Sequence, residues 1–146
     1  MLFIKYSILI LGCLGALAGI IYGLKGFPAT WRKCKESDTN GFTLLAFVFS
    51  PLSQAVYAWL LWLLISSNAG ESGQDQAVNS TSIVSGLVIG LVFILVAIGK
   101  SLLGKRACRV ISETGKGLNK YLIMNGFIET ISIFAFVFGI IALKLK

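Results

Sequence analysis

Residues 118–143 read LNKYLIMNGFIETISIFAFVFGIIAL. Between Lys120 and Lys144 this stretch holds a single charged side chain, Glu129. A bilayer core about 30 Å thick is crossed by roughly 20 helical residues rising about 1.5 Å each, so the stretch spans a membrane as a helix and Glu129 falls near its middle. An ionised carboxylate at that depth costs at least about 2.5–3.5 kcal/mol. It must therefore be protonated, paired or bound to a cation, and an acid so placed is a functional candidate by default.

The composition extends this reading to the whole chain. Of 146 residues, 56% are hydrophobic and 13% charged, against about 25% charged in ordinary soluble domains. Mean hydropathy is +0.86, so the apolar surface must face lipid and most soluble enzymes are excluded. With no His, and with Cys13, Cys34 and Cys108 forming no C-x-x-C pair, neither a zinc site nor a disulfide framework is expected. The net charge of +7 is read as membrane topology rather than nucleic-acid binding, because positive charge beside apolar segments sets orientation. No phosphate-cradling G-x-x-x-x-G-K-[ST] loop occurs, so no nucleotide site, catalytic site or cofactor is expected in this chain.

Three further stretches reach spanning length, Tyr6 to Leu24, Phe42 to Ser66 and Ile83 to Gly104. Lipid offers a backbone no other hydrogen-bond partner, so each is predicted to be a helix. The first is read as a span rather than a signal peptide because its apolar run exceeds the usual ~7–15 residues. Lys25, Arg32, Lys33 and Lys35 follow the first span, and Lys100, Lys105, Arg106, Arg109, Lys116 and Lys120 cluster around the connection between the third and fourth. The middle segment, Ser67 to Ser82, has Glu71 and Asp75 and no Lys or Arg. Basic short loops stay in the cytoplasm, which predicts an all-α membrane protein of two fused hairpins with basic loops inside and both termini outside. Residues 1–66 form the first hairpin, 67–82 an external polar linker and 83–146 the second hairpin. With Lys100 assigned to the basic cluster, no cation is expected inside the spans to pair Glu129.

The hairpins resemble copies of each other. At a constant offset of 75, Gly15 matches Gly90, Lys25 matches Lys100, Ser50 matches Asn125 and Gln54 matches Glu129. Such repeats are common in membrane transport proteins. The second span contains Ser50-Pro51-Leu52-Ser53-Gln54-Ala55-Val56-Tyr57. Pro51 cannot donate to the Phe47 carbonyl and should kink the helix, freeing backbone oxygens near Ser50. Ser53, Gln54 and Tyr57, one turn on, bring a hydroxyl, an amide and a phenol to one small volume. With Glu129 they make an oxygen-rich cage suited to a sodium ion or a hydrogen-bonded proton. Gly12, Gly15, Gly19, Gly23 and Gly26 form a nearly bare ridge on the first span, which allows close helix packing.

The glycine-ridged first helix, the P-x-S-Q-x-x-Y segment from Pro51 to Tyr57, Glu129-Thr130 in the last helix and the two basic-looped hairpins together resemble the K subunit, or proteolipid, of bacterial V-type ATPases. The resemblance implies a ring of identical subunits in the bacterial plasma membrane, turning against a stator subunit that carries a positive group and joined to central-stalk subunits. It implies one transporting carboxylate per protomer, Glu129, carrying H+ or Na+, with ATP handled by partner subunits. Ser53, Gln54, Tyr57 and the Ser50 carbonyl match positions that complete the sodium site in sodium-pumping members. Those members also place a glutamine in the third helix where Ile98 aligns here. One oxygen fewer tilts the expectation toward the proton, with Ile98→Gln expected to raise sodium affinity. A small four-helix proton-coupled multidrug exporter, which also relies on a lone membrane glutamate, is the competing reading; Trp59 and Trp62 near Tyr57 are the aromatics it would use.

Overall fold

The computed structural model describes residues 2–25, 27, 31–32, 42–71 and 80–144. The basic residues Lys33 and Lys35, Cys34, and linker residues 72–79 lie outside the described residues. The elements are α1 (Leu2–Leu24), α2 (Phe42–Phe49), α3 (Leu52–Glu71), α4 (Ser80–Thr114) and α5 (Leu118–Lys144). Three stretches are long and apolar enough to cross a membrane, Tyr6–Leu24, Gly86–Thr114 and Leu118–Ile141. These agree with the expected first, third and fourth spans.

The expected second span comes in two pieces, α2 and α3, divided at Ser50-Pro51. The cause is the missing proline N–H. The Gln54 amide turns back to the Pro51 carbonyl at 3.1 Å, one residue short of its helical partner, and the Ser50 carbonyl is left free of the helix ladder. Phe47, whose carbonyl loses its donor at Pro51, is fully packed. Its oxygen lies 3.0 Å from where a Cβ on Gly104 would stand, so only glycine lets α4 approach here.

The third span is longer than the sequence boundary at Gly104. No glycine or proline intervenes between Gly104 and Gly115, so α4 continues through Lys105, Arg106 and Arg109, which remain helical and exposed. Arg109 pairs with Glu113 one turn on. The helix ends where Gly115 takes φ 64° and Gly117 φ 93°, left-handed values that other residues adopt with difficulty. The Gly115 amide caps the Ile111 carbonyl at 2.8 Å, leaving a three-residue connection to α5.

α1 packs most extensively on α4, and the contacts climb both helices together. A Cβ on Gly90 would meet Leu11, one on Gly15 would meet Ile94 and one on Gly19 would meet Ser101; above them Lys105 lies over the Tyr22 ring. The two helices therefore run parallel. The other faces of the glycine ridge are used as well: a Cβ on Gly12 would collide with Ala58 of α3, and one on Gly19 would come within 2.8 Å of Pro51 Cβ. Gly12, Gly15 and Gly19 thus pack closely within the chain, with Gly23 facing Val48 more loosely, while Gly26 lies outside the described residues. α5 flanks this core with little of its surface covered, and Phe127, Phe134 and Phe138 are 69%, 63% and 65% exposed.

Candidate functional site

Two apolar clusters fill the bundle. One joins Ile8, Ala58, Leu61, Ile89 and Phe93, and the other joins Leu44, Phe47, Ala107, Cys108 and Ile111. Between these levels lies a polar layer built from the α2–α3 break, α4 and the middle of α5. Ser50, Ser53, Lys100, Asn125 and Glu129 line a cleft of about 430 Å³ between α2, α3 and α5. Within this layer the polar groups bond to one another.

Glu129 does not stand alone. Lys100 is 1% exposed and its ammonium pairs with the Glu129 carboxylate, which keeps 20% exposure. This corrects the expectation that no cation inside the spans reaches Glu129. Lys100 leaves the basic cluster because the helix continues past it by more than three turns, so it is embedded in the bundle rather than at its edge. Its repeat counterpart Lys25, at the end of α1, is exposed. The aligned position Ile98 takes no part in this pair. Ile98 is 45% exposed, and residues two apart on a helix face different directions, so the α4 side chain that meets Glu129 is Lys100.

The Lys100 Nζ also donates to Ser53 Oγ at 2.7 Å and to the Ser50 carbonyl at 3.3 Å. The oxygen released by Pro51 is thus taken up by the buried ammonium. Ser53 Oγ donates toward Glu129 Oε2 at 3.2 Å or the Ser50 carbonyl at 3.1 Å, and it accepts from Gln54 Nε2 at 3.2 Å. Gln54 is fully buried, and its Oε1 has no hydrogen-bond partner among the described residues. Ser50 Oγ donates to Asn125 Oδ1 at 2.8 Å, so one repeat pair touches directly, and the other, Gln54 and Glu129, is joined through Ser53.

Four of the five residues expected at the site, Ser50, Ser53, Gln54 and Glu129, are brought together. Tyr57 stands a turn away, its ring against Phe93 and Phe136 with centroids 6.3 and 5.7 Å apart, as part of the apolar cluster above. Sequence reasoning missed Lys100 and Asn125 as site residues. Lys100 was visible as the single cation inside Ile83 to Gly104, matching a single anion in the last span. Asn125 lies one turn before Glu129, on the same face.

A bundle of membrane-length apolar helices whose mid-span acid meets a buried cation in a cleft at its side is a membrane protein built around a charge pair. Among known families, residues 83–142 match the model for the C subunit of ATP synthase. The matched segment begins where the second hairpin was expected to begin and contains both Lys100 and Glu129. The match covers 60 of the 146 residues, less than half of the chain. No curated protein matches the chain.

Proposed function

We propose that the chain is an ion-translocating rotor-ring subunit of a V-type ATPase or ATP synthase, a K-type proteolipid of a bacterial plasma membrane. Copies assemble into a ring, and each protomer carries one transporting carboxylate, Glu129. A stator membrane subunit with a positive group draws Glu129 open once per passage, and central-stalk subunits couple rotation to ATP chemistry elsewhere. The second span crosses the membrane through its α2–α3 break, giving four crossings, with the basic ends of α1 and α4 in the cytoplasm and both termini outside.

The observation that carries this reading is where the acid sits. Glu129 lines a cleft at the side of the bundle, between the broken second span and α5, while the glycine-faced helices α1 and α4 pack against each other. A carboxylate at the rim of a protomer can be presented to a neighbouring stator. A four-helix exporter would need its glutamate in an enclosed central cavity with aromatic side chains around it, and here Tyr57 belongs to an apolar cluster instead.

Native mass measurement after mild detergent extraction tests the assembly. A stable large oligomer is expected; a monomer or dimer would favour the exporter. Glu129→Gln should abolish ion-coupled ATP hydrolysis in the reconstituted complex. Near wild-type pumping by Glu129→Gln would refute the assignment.

A further inference from the structure

An ammonium has three N–H donors and no acceptor, and a hydroxyl has one donor and two acceptor lone pairs. Lys100 and Ser53 meet this inventory without remainder. The three protons of Lys100 Nζ have three acceptors, the Glu129 carboxylate, Ser53 Oγ and the Ser50 carbonyl. Ser53 Oγ takes hydrogen bonds from Lys100 and from Gln54 Nε2 and gives its own proton to Glu129 or to the Ser50 carbonyl. Both lone pairs of the hydroxyl are then in use.

These oxygens are the ones a sodium ion would need. Resting on the rotor reading above, we propose that Lys100 is a tethered cation that occupies the cation position of the site, so that the site refuses sodium and Lys100 sets the ion specificity of the rotor. Sodium would have to displace an ammonium that cannot leave, because it is anchored to α4 and 99% enclosed. It would also bring a second positive charge beside the first, with one carboxylate to neutralise both. Glu129 and Lys100 together carry no net charge as an ion pair, so the site meets the lipid without any metal ion.

The neighbouring groups show what removal of Lys100 would expose. Gln54 Oε1, buried and unpartnered among the described residues, adjoins Ser53, and the Ser50 carbonyl would lose its lysine donor. Lys100→Gln supplies a further side-chain oxygen in place of the ammonium. It would join the oxygens of Glu129, Ser53, Ser50 and Gln54 around one small volume.

The experiment is equilibrium binding of radioactive sodium to the purified full-length protein in detergent at fixed pH and ionic strength, with native mass recorded on the same samples. Wild type and Lys100→Arg, which keeps the cation, are expected to bind no sodium at millimolar concentrations. Lys100→Gln is expected to bind about one sodium per chain, at least tenfold more tightly than wild type. Lys100→Ser, smaller and leaving room for water, provides a second uncharged variant should Lys100→Gln assemble poorly. Sodium binding by wild type overturns the proposal, and so does failure of both folded, uncharged variants to gain it. A native mass of one or two chains would instead refute the rotor reading, whatever the sodium result.

Discussion

Removing either partner of the Lys100–Glu129 pair tests the reading of the site through stability alone. Glu129→Gln leaves an ammonium that is 1% exposed with neutral acceptors only, Ser53 Oγ and the Ser50 carbonyl. Stranding one member of a buried ion pair costs about 3–5 kcal/mol. Lys100→Met leaves the Glu129 carboxylate, and because that group keeps 20% exposure and a Ser53 donor, the loss should fall at or below about 3 kcal/mol. The double variant strands neither charge and fills the lysine's volume with an unbranched apolar chain. It should cost about as much as Glu129→Gln alone rather than the sum of the two losses, giving a coupling of about 2–3 kcal/mol. Denaturant titration of the detergent-solubilised protein, followed by far-ultraviolet circular dichroism, reads the cycle. If the two single losses add in the double variant to within about 0.5 kcal/mol, the charges are independent and the pairing of Lys100 with Glu129 is refuted.

Other outcomes follow from the packing and topology. Gly19→Val should destabilise by about 1–3 kcal/mol through overpacking, since a Cβ there meets Pro51 and Ser101; Gly126→Ala, with nothing within 4 Å, should be neutral or stabilising by up to about 1 kcal/mol, and the same titration separates them. Ile98→Gln should leave sodium binding unchanged, because Ile98 lies on an exposed face of α4 away from Glu129; a gain in sodium affinity would restore the alignment at Ile98. A cysteine at Gly73, in intact cells of a variant whose native cysteines are serine, should react with an impermeant thiol reagent from outside, and labelling confined to inverted membranes would reverse the orientation.

Much of this protein could be read in the chain before any folding. The absence of polar surface dictates a membrane setting, because a backbone in lipid must satisfy itself in helices. The bounds of the first and last spans followed from apolar run length, and the break at Ser50-Pro51 from a missing N–H. The mid-span position of Glu129 and its company of Ser50, Ser53 and Gln54 were likewise local facts, set by helical spacing and by a repeat offset of 75 that the Ser50–Asn125 hydrogen bond realises in space.

What meets Glu129 was decided by tertiary structure. Lys100 and Ile98 are two residues apart, and run length alone cannot say which of them α4 turns toward α5; helix phase and the depth of α4 in the bundle settle that. Both depend on the close approaches at Gly15, Gly90 and Gly104, which fix how far α4 slides along α1 and α2. The end of α4 was misplaced in the sequence for a related reason, since basic residues mark the edge of a membrane and not the end of a helix. A lysine counted by its charge belonged to the loop, whereas the same lysine, held by an uninterrupted helix and three oxygen acceptors, belongs to the site.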